Sequence, residues 1–169
     1  MTNGRIIITL FILTMIMTLV LRIQGDQLVT PSASKGILSL EFSTSASQTS
    51  NIRNEWKGPI RQAFYLNIAL DYFYLLFYGL FLFFTCTYLS WLKPGGRKIG
   101  LYAGIAGLAA AGFDAVEDLL MVISIIFGGN DIVSLTTAIC ASIKFLLLGI
   151  AVLYILISMI YYLAKRERK

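Results

Sequence analysis

The sequence predicts an all-α membrane protein: a four-transmembrane-helix bundle with an ordered extracytoplasmic loop between helices 1 and 2, forming a single integral membrane domain over residues 1–169. Three observations lead there. Hydrophobic residues make up 57% of the chain and charged residues 14%, where a soluble domain carries roughly a quarter charged. The mean hydropathy is +0.77. Four apolar runs have the length of a membrane span, and together they leave no room for a separate soluble catalytic domain. With no His in the chain, imidazole bases and His-ligated haem or zinc are excluded. Two cysteines are too few for a disulfide scaffold or a thiolate metal site, and no cofactor is expected.

The first span runs over about 6–23, after a single Arg5. A signal peptide is the alternative, but no small-residue cleavage motif follows: the exit reads Leu21, Arg22, Ile23, Gln24, Gly25, Asp26, and the helix is taken as retained. The second covers about 63–91, dense in Phe, Tyr and Leu, and stops at Lys93-Pro94-Gly95-Gly96-Arg97-Lys98, where proline and paired glycines break a helix. The third covers about 99–127. Gly128-Gly129-Asn130-Asp131 forms a tight loop before the fourth, about 132–163, which closes on Lys165, Arg166, Glu167, Arg168 and Lys169. Three of these spans exceed 20 residues, so tilt or extension beyond the lipid follows.

The net charge of +5 sits at membrane-flanking positions and not along one exposed face, so it reports orientation and no nucleic-acid partner is expected. Basic residues in the 93–98 turn and at the C-terminus put both in the cytoplasm, and helix parity puts the N-terminus there too. The connection 24–62 is then outside. Its own Lys35, Arg53, Lys57 and Arg61 pull the other way. In that connection Leu38, Leu40 and Phe42 alternate with Ser39, Glu41 and Ser43, a period-two pattern suited to a short strand or extended segment. Six of the eight residues from Ser43 to Ser50 are Ser or Thr, which reads as a flexible stretch or as the start of a short helix with Ile52 and Trp56 on one face. The whole loop is either solvated, with Trp56 as an interfacial anchor, or a cap over the outer mouth of the bundle.

The informative residues are the ionisable ones inside the spans, because each is expensive in lipid and normally faces protein or water. They are Asp71, Asp114, Glu117, Asp118 and Lys144. Counted at about 1.5 Å per residue from the outer end of each span, all lie roughly 12 to 20 Å deep. Asn67, Asp71, Tyr74 and Tyr78 form one polar stripe on the second helix, and Asp114, Glu117 and Asp118 stand at i, i+3, i+4 on the third. Gly100, Ala103, Gly107, Ala110 and Ala111 share the acid-bearing side, so a neighbouring helix can approach it closely. Thr137, Cys140 and Lys144 align on the fourth helix, and Thr14, Thr18 and Arg22 on the first. A bundle with these stripes inward is the most economical assembly.

Four carboxyls against one ammonium cannot all ionise at close range in a low dielectric, so proton sharing or a bound cation is expected. Lys144 can neutralise one acid, and Tyr74 and Tyr78 can donate to another. A purely structural ion pair with the remaining acids protonated is the plain alternative, but three acids in five residues exceed what one lysine requires. A hard divalent ion could use Asp114, Glu117 and Asp118, although their spacing is not diagnostic. Cys86 and Cys140 fall at different depths and read as packing residues.

Leu70-Asp71-Tyr72, Gly112-Phe113-Asp114-Ala115-Val116-Glu117-Asp118, Leu38-Ser39-Leu40-Glu41-Phe42 and the region of Trp56 together resemble small uncharacterised bacterial four-span integral membrane proteins, over most of the chain. The resemblance implies a four-helix architecture and directs attention to Asp71, Asp114 and Glu117. It carries over no activity, substrate or cofactor. The motifs of lipoprotein signal peptidases are absent, and sterol isomerase-like four-span proteins use a His that this chain lacks.

The function expected from these residues is that of a multi-pass cytoplasmic (plasma) membrane protein whose outward-facing acidic pocket binds a small cationic ligand or relays protons. Passage would call for a homo-oligomer, since four helices enclose little pathway. A non-enzymatic role is therefore expected first. Two alternatives stand beside it: an accessory or assembly subunit whose loop and Gly/Ala face meet a partner membrane protein, and an intramembrane hydrolase using Asp71 with Asp114, for which the sequence offers no water-activating signature.

Overall fold

The computed structural model describes residues 4–92 and 96–167. Six α-helices follow in order: α1 (Gly4–Gly25), α2 (Ile37–Glu41), α3 (Ala46–Glu55), α4 (Pro59–Leu92), α5 (Arg97–Phe127) and α6 (Asp131–Glu167), with a 3-10 turn at Asp26–Leu28 after α1. No strand occurs among the described residues. Lys93, Pro94 and Gly95 of the expected turn, and Arg168 and Lys169 of the basic tail, lie outside the described residues.

The helix ends follow local chemistry. Pro59 opens α4, where its missing N–H costs nothing, and Gly58 ahead of it takes φ 56°, a value that favours glycine. α5 stops at Gly128, again left-handed at φ 89°, whose N–H caps the Ser124 carbonyl at 3.1 Å. Asn130 then accepts the Val133 N–H at 2.8 Å and so starts α6. Ser45 does the same for α3, accepting the Gln48 N–H at 3.4 Å.

Three helical stretches are long and apolar enough to cross a membrane: Gly4–Leu28, Pro59–Trp91 and Asp131–Lys165. The sequence leads to four, and the difference is α5. This helix packs against α4 and α6, whereas α1 rests on α4, the helix that touches all three of the others. α5 is two-faced: Gly100, Gly104, Gly107, Asp114, Glu117 and Asp118 are buried against those neighbours, as polar side chains of a span require, while Ile105, Val116 and Leu119 stay exposed.

The Gly/Ala face of α5 is filled by α4 of the same chain, not held open for a partner. A Cβ on Gly100 would stand 2.3 Å from Ser90 Cβ and 2.8 Å from the Cys86 carbonyl, and one on Gly107 would stand 2.7 Å from Leu82 Cβ. From the α4 side, a Cβ on Gly79 would meet Ala111 at 3.0 Å. Two long helices thus approach closely through small residues. The core they enclose is Tyr78, Leu82, Cys86, Ala103, Ala110, Ala111 and Ala151. Cys86 and Cys140 are both free and buried.

The connection 26–58 is an ordered cap on the end of the bundle formed by Gly25, Pro59, Phe127 and Asp131. Leu28, Leu40, Ile52 and Trp56 pack with Phe64 and Ile68 of α4 and Met121 and Ile125 of α5 into one core. Trp56 is fully buried, its indole N–H donating to the Leu28 carbonyl at 3.1 Å, so it is a keystone of the cap and not an interfacial anchor. Arg53 Nε donates to the Ile125 carbonyl at 2.9 Å, a basic side chain on the last turn of α5 as the helix dipole favours. Thr49 Oγ1 lies 2.8 Å from both Ser43 Oγ and Ser134 Oγ, and Asp131 accepts the Ala46 N–H at 2.7 Å.

Residues 37–41 form a helix and not the strand that the alternation suggests. Gly36 turns the chain into it at φ 60°. In helical phase Ile37 and Glu41 stand at i, i+4 and face a cavity in the bundle, while Leu38 and Phe42 face outward and Phe42 stacks on Phe145 at 5.9 Å. Five residues are too few to separate a period of two from one of 3.6.

Candidate functional site

Beneath the cap, α2, α4, α5 and α6 bring five carboxyls to one ammonium. Lys144 is 6% exposed. Its Nζ donates to Asp114 Oδ1 at 2.6 Å and to Glu117 Oε1 at 3.1 Å, with Glu117 Oε2 at 3.0 Å and Glu41 Oε2 at 3.5 Å. The other oxygen of Asp114 accepts the Tyr78 hydroxyl at 2.8 Å. Carboxylate oxygens of Asp71, Asp114 and Asp118 lie within 4.8 Å of one another.

The three acids of α5 divide between two sides. Glu117 turns toward Lys144 and Glu41, Asp118 toward Asp71 on α4, and Asp114 stands between, bonded to α6 through Lys144 and to α4 through Tyr78. The i, i+3, i+4 spacing makes this possible, since an arc of about 100° on α5 faces α6 at one edge and α4 at the other. Glu117 and Asp118 are 0% and 1% exposed. Glu41, Glu117 and Asp118 each keep one buried oxygen without a hydrogen-bond partner. For the first two that oxygen is within ion-pair distance of Lys144. For Asp118 no ion pair to Lys or Arg accompanies it among the described residues.

Glu41 is the site residue that sequence reasoning missed. Counted as the polar member of an alternating segment, it belonged to solvent; the short helix α2 instead inserts it beside Lys144, and burial pushes its carboxyl above the usual range while the ammonium pulls it back. The signal available in the sequence was an acid set between Leu40 and Phe42 in a loop otherwise poor in acids.

A cavity of about 130 Å³ lined by Leu21, Ile37, Glu41, Asn67 and Asp71 runs between α1, α2 and α4 to this cluster. Asp71, half-buried, forms its floor with Glu41. Asn67 lines the wall but commits its amide N–H to Gln24 Oε1, and Gln24 Nε2 donates to the Ala63 carbonyl at 2.6 Å, which fastens the end of α1 to α4.

The remaining stripe residues do not reach the cluster through polar atoms. Tyr74 packs its ring on Tyr78 at 5.1 Å, and of the two tyrosines it is Tyr78 that donates to an acid. Thr137 bonds its own helix at Val133. Thr14 and Thr18 likewise return to the carbonyls of Leu10 and Thr14, and Arg22 is exposed, so the α1 stripe expected to face inward contributes no charge to the site. The oxygens that converge closely enough for one ion come from Asp71, Asp114 and Asp118, with Asp71 in place of the Glu117 that the sequence pairs with Asp114 and Asp118.

No family model, no curated protein and no solved structure matches this chain.

Proposed function

We propose that the protein is a multi-pass membrane protein in which α5 crosses the bilayer between α4 and α6, and that the acid-lined pocket beneath the cap takes up positive charge from outside, as a small cation or as protons. The observation that carries this is the imbalance at Lys144: five carboxyls gather where one ammonium is available. In a low dielectric an uncompensated buried carboxylate costs several kcal/mol, on the order of 3 to 5, so the pocket has a standing demand for further positive charge. The cavity at Asp71 supplies access. Basic residues near 93–98 favour cytoplasmic termini with the cap outside.

The aspartate-dyad hydrolase is the weaker reading, because Asp114 already accepts from Lys144 and Tyr78, whereas a dyad is built on two carboxyls that share one proton between them. The accessory-subunit reading loses its small-residue face to α4. The test compares uptake and binding of monovalent cations, amines, divalent cations and protons by proteoliposomes holding the intact protein or the Asp114→Asn, Glu117→Gln double variant. A response present in the first and lost in the second is expected; identical behaviour across the panel removes the reading.

A further inference from the structure

Deepening that reading and resting on it, we propose that Asp71, Asp114 and Asp118 form a site for a hard divalent cation of the Ca²⁺ and Mg²⁺ class, reached through the cavity beside Asp71. The pocket divides its own charge. Lys144 is committed to Asp114, Glu117 and Glu41, and none of its ion pairs extends to Asp71 or Asp118. On the side facing α4 three carboxyls therefore meet with one tyrosine hydroxyl among them.

Two further observations point to a ligand there. Asp118 is 1% exposed, yet its Oδ2 has no hydrogen-bond partner, and a buried carboxylate oxygen left unpaired is costly. The cavity of about 130 Å³ ends on Asp71, roomy enough for the waters that would complete a coordination shell. On an ion with bonds of about 2.4 Å two trans oxygens stand about 4.8 Å apart and two cis oxygens about 3.4 Å, and the three carboxylate oxygens lie within the larger of these separations of one another, so a small inward shift suffices to bring all three onto one ion. Asp114 serves both halves: each of its oxygens keeps a second lone pair beside the bond to Lys144 or Tyr78. The donors are all oxygen, with no imidazole or thiolate in the set, which selects hard cations over zinc or copper.

The test uses the full-length protein in detergent, stripped with chelator and titrated with Ca²⁺, Mg²⁺ and Mn²⁺ by calorimetry and by thermal unfolding, against Na⁺ and choline at equal ionic strength. The expected result is saturable binding of one divalent ion per chain and a Tm that climbs with its concentration. Asp118→Asn and Asp71→Asn should each weaken binding by at least about tenfold, since even outer-shell partners of metal ligands are worth that much. Asp26→Asn, on the exposed turn after α1, should not. Should Asp118→Asn fail to fold, Asp71→Asn at the cavity floor and Mn²⁺ resonance spectra of the unaltered protein carry the comparison. No saturable divalent binding, or binding unchanged in both variants, overturns the site. If divalent binding is absent while infrared spectra show a protonated carboxyl that vanishes in Asp118→Asn, Asp71 and Asp118 share a proton; this overturns the metal site and leaves the acidic pocket as a proton carrier. Indifference to divalent ions, monovalent cations, amines and pH alike overturns both readings.

Discussion

In the half of the bundle toward Leu92 and Arg97, α4, α5 and α6 meet through alanine, glycine, leucine and Cys86; Thr87 and Ser90 turn back on their own helix, to the Phe83 carbonyl at 2.8 Å and that of Thr87 at 2.6 Å, and the hydroxyls of Thr85 and Tyr154 are buried without a hydrogen-bond partner. In the half beneath the cap the same helices meet through Lys144, Tyr78 and the acids, and the cap is tied down by side chains that cross from one element to another, Arg53 to α5, Asp131 to α3 and Thr49 to α6. The first half is held by shape: a helix pair approaches because nothing larger than hydrogen stands between the backbones. The second is held by charge and hydrogen bonds, whose worth depends on every partner being present. A change of volume should therefore hurt the first half and leave the pocket's chemistry alone, while a change of charge should alter both stability and ligand response in the second.

The largest effect expected is at Lys144. Lys144→Met leaves Asp114, Glu117 and Glu41 without their shared cation and should lower the unfolding free energy in mixed micelles by about 3 to 5 kcal/mol unless those acids take up protons. Adding Asp114→Leu should restore only part of the loss, because Glu117 and Glu41 remain unpaired and Tyr78 loses its acceptor. A single variant that melts like the parent would show that charge does not hold this half together.

Gly100→Ala probes the other half. Its new Cβ would meet Ser90 Cβ at 2.3 Å and the Cys86 carbonyl at 2.8 Å, an overpacking cost of about 1 to 3 kcal/mol. Cation titrations of the folded protein should keep the parent midpoint, and a shifted midpoint would show that the two halves are coupled through α5. Gly107→Leu should act the same way through Leu82, lowering stability without releasing any bound partner protein.

A smaller effect is expected at the cap hinge. Thr49→Val removes the hydroxyl shared by Ser43 and Ser134 and should cost about 1 kcal/mol, with faster amide hydrogen exchange confined to α2 and α3. Exchange that instead spreads along α4 would mean that the cap and the bundle unfold as one unit. The smallest is Glu55→Gln: this carboxylate accepts the Ser32 N–H and hydroxyl at 2.9 and 2.8 Å on the exposed rim of the cap, and its loss should change stability by under about 0.5 kcal/mol. A larger change would mark the rim as part of the structure that holds Glu41 in place.

The sequence by itself determined the long helices, because apolar composition and the breakers at Pro94-Gly95-Gly96 and Gly128-Gly129-Asn130 act within a few residues of where they stand, although α4 begins at Pro59 and not near 63. It also determined that Asp71, Asp114, Glu117, Asp118 and Lys144 lie at similar depth, since a fixed rise per residue turns position into height. Tertiary structure alone decided which acid meets which partner. A helical wheel places Asp114, Glu117 and Asp118 on one arc but cannot say that α6 covers one edge of it and α4 the other, so Asp71 and not Glu117 joins the triad. The same holds for the Gly/Ala face, whose close neighbour could have been any helix until α4 filled it. Glu41 was the least legible residue, because a five-residue segment has no period of its own, and whether its acid faces water or Lys144 depends on contacts made by residues far away in the chain.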